Sequence, residues 1–129
     1  MKYFLLSALL LGCPAWAALP PQSPAALRKE ATNVVIGTVT RIESRTVQQE
    51  LGSDKVYVLT LTVDEQTKGT LSSNSVRVEC WQPVGRPEGW AGPQGQNEIP
   101  KERQKIRVYL KQGSGGTLQM LQPNGWESI

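Results

Sequence analysis

The stretch KVYVLTLTVDE, Lys55 to Glu65, alternates residue by residue. Tyr57, Leu59, Leu61 and Val63 fall on one face, and Val58, Thr60, Thr62 and Asp64 on the other. A period of two is the signature of a β-strand. Four more segments repeat it. VVIGTVTRI, Val34 to Ile42, is rich in β-branched residues, with Gly37 at the position of a bulge or sharp coil. SVRVECW, Ser75 to Trp81, turns Val76, Val78 and Cys80 inward, which leaves Arg77, Glu79 and Trp81 facing outward or toward a groove. KIRVYLK, Lys105 to Lys111, turns Ile106, Val108 and Leu110 inward and shows Arg107, Tyr109 and Lys111 on its other face. TLQMLQP, Thr117 to Pro123, closes the series at a proline.

The connections are legible from their turn residues. GSD, Gly52 to Asp54, marks a hairpin whose arms are expected to fray, and QGSGG, Gln112 to Gly116, is a tight turn. Ahead of the first strand, Ser23 can cap one or two helical turns with Pro24 at the first position and Asn33 closing them. Leu27 and Ala31 share a face of this helix at a spacing of four, enough to lay it against a sheet. Five strands in so small a chain must hide their edges, and closing the sheet into a cylinder does so most completely. The expected fold is therefore mainly β. It is a small five-stranded OB-like closed barrel over residues 34–129, preceded by an N-terminal segment and short helix over 18–33. Alternation alone leaves a small β-sandwich as the alternative.

The chain opens MKYFLLSALLLGCPAWA, with a lysine, an apolar run and small residues at Ala15 and Ala17. This predicts a secretory signal peptide over residues 1–17, and places the protein in the periplasm or outside the cell. The run is too short to span a bilayer, which takes about 20 residues. A second reading takes LLGC, Leu10 to Cys13, as a lipobox, so that a lipidated Cys13 ties the domain to a membrane. Only in that case is a membrane a partner.

Composition then removes most chemistry. The 129 residues include no histidine, so neither an imidazole-based triad nor a histidine-bearing zinc site can be built from this chain. The nearest acidic pair, Asp64 and Glu65, points to opposite faces of a strand, and no glycine-rich phosphate loop precedes a helix. Once Cys13 leaves with the leader, Cys80 is the one thiol. It reads as a buried small hydrophobe on a strand. The expectation is a protein that is not an enzyme and has no catalytic residue, metal or cofactor. Loss of Lys2 with the leader leaves 13 basic and 11 acidic residues, a net charge of about +2. The cations within PKERQKIRVYLK read as a solvated strand face. A nucleic-acid role would call for a strongly basic groove with aromatic platforms, and none is expected.

Against this regular background, residues 82–104 form a long loop rich in Gly and Pro. Loops beyond about 12–15 residues are uncommon unless they are functional or flexible. Pro83, Pro87 and Pro93 reduce the freedom lost on ordering, so the loop reads as shaped. Trp81 stands at its entrance and Trp90 at its centre. Indole is a frequent anchor for a partner, and it is also a frequent plug for the open end of a small barrel. Both readings stand for each residue. Arg86 and Tyr109 are the side chains expected to complete a groove with the two tryptophans. The fourth tryptophan, Trp126 in QPNGWES, reads as a pin for the C-terminus.

The segments NVVIGTVTRIES, YVLTLTVDEQTKG and KIRVYLKQGSGGTLQ, in that order, resemble the netrin-like and TIMP-like group of secreted OB barrels across roughly residues 31–121. In that group a strand of this first type leads to a second ending in KG, and a later strand resembling RVYL precedes a glycine turn. The resemblance implies a barrel and an extracellular binding role. It does not extend to metalloproteinase inhibition, because the group's inhibitors chelate zinc through a free N-terminal Cys in a CxC arrangement. This chain would begin ALPPQSP after cleavage, or CPA with an acylated amine. The reading that follows is a noncatalytic module that recognises a protein, peptide or glycan through the loop after the third strand. The alternative is a structural or assembly protein of the cell envelope.

Overall fold

The protein was analysed as a computed structural model, which describes residues 19–129. The expected leader over residues 1–17 and Cys13 lie outside the described residues. The helix forms where its cap predicts. α1 spans Pro24–Glu30, and the Ser23 hydroxyl accepts a hydrogen bond from the Ala26 N–H at 3.1 Å. It stops two residues earlier than expected, with Ala31 as its extended C-cap, and Asn33 is the first residue of the next strand rather than the helix end.

Six strands follow. They are β1 (Asn33–Gln48), β2 (Ser53–Lys68), β3 (Ser75–Val84), β4 (Lys105–Gln112), β5 (Leu118–Met120) and β6 (Trp126–Ser128). β1, β2, β3, β5 and β4 are neighbours in that order, and β1 pairs with β4 to close the cylinder. All pairings are antiparallel except β3 with β5. This is the five-stranded OB-like barrel, and closure sets the sandwich aside. β1 serves two neighbours because it bends. Its register with β2 shifts at Val34/Val35, Ile36/Gly37 and Val39/Arg41. At Gly37 a side chain would strike the Thr62 carbonyl, so glycine lets the two strands approach there.

The interior is apolar and closed. Val35, Val39, Leu59, Leu61, Val78, Ile106, Val108 and Leu110 are fully buried, with Cys80 among them at 2% exposure. A second cluster lies on the outside of the wall, where Leu27 and Ala31 from the helix region cover Val34, Tyr109 and Leu121. Tyr109 thus occupies the outward face that its alternation predicts, but α1 covers that face.

Three boundaries differ from expectation. The β1–β2 hairpin does not fray, since its ladder runs unbroken from Arg41↔Thr60 to Gln48↔Ser53. β3 continues to Val84, because Gln82, Pro83 and Val84 pair with Lys55, Asp54 and Ser53, so the loop begins at Gly85 rather than at residue 82. The last expected strand, Thr117 to Pro123, is shortened to Leu118–Met120, and β6 is a sixth strand that the sequence reading did not expect. β5 pairs with β4 at Leu110–Gln112, the chain loops out over residues 121–125, and β6 rejoins β4 at Ile106–Val108. The break is bridged at Tyr109, whose N–H donates to the Gly125 carbonyl and whose carbonyl accepts from Leu121 N–H.

Candidate functional site

The lengthened β2 and β3 carry the hairpin ribbon past the end of the barrel. The β1–β2 turn at residues 49–52 therefore stands beside the loop that leaves β3. Both elements contribute to the site.

The loop over residues 85–104 has an anchored half and a projecting half. Its anchor is Gln96, one of two buried polar residues among the described ones. The Gln96 N–H donates to the Trp81 carbonyl at 2.9 Å. Its side-chain amide donates to the Leu121 carbonyl at 2.5 Å and accepts from Gly125 N–H at 3.3 Å. Asn97 N–H donates to the Pro123 carbonyl, and the Gln82 amide donates to the Gln96 carbonyl. One glutamine so ties the loop both to β3 and to the loop-out between β5 and β6. Gly95 permits this close passage. It has a φ of +65°, and a side chain there would collide with the Trp81 carbonyl.

The projecting half is folded around Trp90. Trp90 N–H donates to the Pro87 carbonyl, closing a turn with Gly89 in the left-handed region. This directs the indole back onto Arg86, whose guanidinium carbon lies 4.4 Å from the ring centroid. The other edge of that guanidinium is occupied by the β1–β2 turn. It donates to the Leu51 carbonyl and to the Asp54 carboxylate, which also accepts from the Gln49 amide at 3.0 Å. Arg86 and Asp54 are largely buried, at 12% and 18% side-chain exposure, and among the described residues Arg86 Nε has no hydrogen-bond partner. The cation therefore joins two loops and supports an aromatic ring, a role that suits the flat, forked guanidinium better than an ammonium.

Between the turn and the loop lies an open cleft of about 340 Å³. Trp81, Arg86, Trp90 and Pro93 line one side of it, and Gln49, Glu50, Leu51 and Asp54 the other. Both indoles are half-buried, and neither belongs to the barrel core or packs against it. Leu51 is exposed. Such a cleft offers apolar faces for stacking, with a carboxylate at Glu50.

Three of the four candidate residues come together here, and Tyr109 does not. It lines no part of the cleft, is 4% exposed beneath α1, and donates its hydroxyl to the Glu127 carboxylate at 2.8 Å. Burial pushes its pKa above the ordinary 10.0, and the bond to Glu127 adds to that shift. It is a packing residue. Trp126 acts as expected, since it packs against the core while its indole N–H donates to the Glu98 carbonyl at 3.0 Å. Cys80 is inert by environment, with burial first and the charge of Glu79 second raising its thiol to about 12.

The sequence reading missed the partners from the β1–β2 turn, Gln49 to Asp54. Their signal was the hairpin itself, since an unfrayed ladder carries the turn out to the loop. Nothing in the sequence singled out Gln96. Among the described residues no group of three metal-ligating side chains is found. Compared with protein-family models, curated proteins and solved structures, the chain gives no match.

Proposed function

We propose that this protein is an exported, noncatalytic binding module that captures a protein, peptide or glycan in the cleft between the β1–β2 turn and the β3–β4 loop. The observation that carries the reading is that Trp81 and Trp90, from a strand end and a loop, line one cleft and take no part in the barrel core. Half-exposed indoles held by a rigid frame lose little entropy on binding, so they serve well as anchors. The cleft volume is at the small end of the range for ligand sites, suited to one or two side chains or a sugar ring. Its walls supply stacking surfaces rather than a reactive group, and the chain has no histidine to act as a base. The resemblance to netrin-like barrels agrees with a secreted binding role and adds no inhibitory wedge to it.

Partner capture from an envelope extract tests the reading. The intact protein should retain a partner that the Trp81→Ala, Trp90→Ala double variant does not, with the melting temperature nearly unchanged. A large fall in melting temperature with capture intact would make the two indoles packing residues and sink the proposal.

A further inference from the structure

β1 has two strand neighbours for only part of its length. Val34 to Thr38 lie between β2 and β4. The segment before β4 then covers the next stretch, where Val39 N–H donates to the Gln104 carbonyl and Ile42 N–H donates to the Glu102 carboxylate at 3.1 Å. Beyond Ile42 the strand runs on to Gln48 with β2 on one side alone. Ile42 N–H points away from β2, so the alternation of an antiparallel ladder turns the N–H and C=O of Ser44, Thr46 and Gln48 the same way. Among the described residues, none of these three is bonded on that side to another backbone group. The opposite side of the ribbon is closed, because the anchored loop covers β3 through the Gln96 bond to Trp81. The ribbon therefore has one open edge, of the kind that templates strand addition.

We propose that this edge pairs antiparallel with the same edge of a second copy, centred on Ser44. The sequence of the edge selects both occupant and register. With Ser44 opposite Ser44, each Glu43 faces the Arg45 of the other copy, and Ile42 faces Thr46, its N–H exchanging the exposed Glu102 carboxylate for the Thr46 carbonyl. Two opposite-charge pairs form across the twofold axis. Every other centre is worse. Centring on Glu43 or on Arg45 sets like charges against each other, which destabilises a cross-strand pair. Centring on Thr46 leaves Arg45 facing Val47. Centring on Ile42 sets Arg45 of the second copy against Val39, whose N–H and carbonyl are both already bonded to the segment before β4. A shift to a centre between two residues opposes bonding groups to non-bonding ones. Glu43 and Arg45 are about half exposed and have intramolecular partners only at the surface, Arg41 at 3.3 Å and Glu79 at 3.4 Å, so both are free to serve the new pairs. The result is an isologous dimer with one continuous sheet of β3, β2 and β1 from each copy. It does not depend on the cleft.

Sedimentation of the purified protein from about 1 μM to about 1 mM brackets the affinities that such an edge supports. A concentration-dependent monomer–dimer equilibrium is expected, weakened by salt. Ser44→Pro removes an N–H that the β1–β2 ladder does not use, so the variant should keep the wild-type circular dichroism and remain monomeric. Glu43→Arg and Arg45→Glu should each weaken self-association about tenfold or more. An equimolar mixture of these two variants should recover the dimer, because one copy then presents a guanidinium at both positions and the other a carboxylate at both, so each cross-strand pair again joins opposite charges. Recovery on mixing is a positive signal that misfolded variants cannot produce. A wild-type protein that stays monomeric throughout would overturn the proposal, as would a dimer indifferent to the charge reversals. So would a monomer that holds an unrelated extended peptide on this edge and loses it with Ser44→Pro.

Discussion

Arg86 lies over the ring of Trp90, with 4.4 Å from its guanidinium carbon to the ring centroid, while the same guanidinium binds the Asp54 carboxylate across the gap between two loops. One side chain thus fixes the distance between the β1–β2 turn and the β3–β4 loop, and with it the width of the cleft. The indole rests on a cation that is itself held at both ends, so its orientation is set before any ligand arrives. Preorganisation of this kind reduces the ordering cost of binding.

Replacing Arg86 with Met tests that relationship. The variant keeps an unbranched stem but removes the guanidinium fork, leaving Asp54 with the Gln49 amide alone. A loss of about 1–3 kcal/mol in unfolding free energy is expected from denaturant melts, the range for leaving a buried hydrogen-bonding group without its partner. Trp90 emission should also shift to the red as the ring swings into water. Loss of partner capture should accompany the spectral shift, even without denaturant, where the barrel stays folded.

Tyr109 and the tryptophans should separate cleanly. Removing the Tyr109 hydroxyl deletes one bond to Glu127 at 2.8 Å beside Arg107, so Tyr109→Phe should cost about 0.5–1.5 kcal/mol and leave partner capture unchanged. Capture that falls with Tyr109→Phe while the melting temperature holds would return this residue to the site.

That contrast shows where sequence reading reaches and where it stops. Alternation correctly gave the faces of β2, β3 and β4, because period two is a property of the backbone and needs no partner. It placed Tyr109 on the outer face, which is right, and in a groove, which is wrong. What covers an outer face is decided by how α1 docks, and Leu27 meets Tyr109 from far along the chain. Likewise Trp81 and Trp90 were legible as odd residues in an odd loop, whereas Asp54 was invisible as their neighbour. Its approach depends on the hairpin staying paired to Gln48↔Ser53. Gln96 carries the loop's anchorage, yet glutamine in a polar stretch has no local signature.

The Gln96 anchor predicts a loss disproportionate to one exposed-looking glutamine. Gln96→Ala strands the buried Leu121 carbonyl and Gly125 N–H, so unfolding free energy should fall by about 1–3 kcal/mol. Amide exchange at Gly125 should speed up more than exchange at Val108, which sits in the intact β1–β4 ladder. Equal acceleration at both would mean that the glutamine supports the barrel as a whole rather than the junction of two loops.

Cys80 contributes to a decline of stability at alkaline pH. Its thiol is raised from the ordinary 9.0 to about 12, chiefly by burial among Val76, Val78 and Leu59, and further by the charge of Glu79. An unfolded chain releases this proton near 9, whereas the folded protein retains it until about 12. Between those values the folded state binds more protons than the unfolded one, so stability falls as pH rises through that window and is unaffected by this group below it. Tyr109, also raised, acts in the same direction above its ordinary 10.0. Denaturant midpoints measured from pH 8 to pH 11 should therefore decline, and Cys80→Ala, although less stable at every pH, should decline less steeply. Disulfide-exchange reagents at pH 8 should leave the native thiol unmodified and react fully once the protein is unfolded. A native thiol that reacts at the unfolded rate would show that the β2–β3 wall opens at Cys80, and would remove burial as the cause of the alkaline decline.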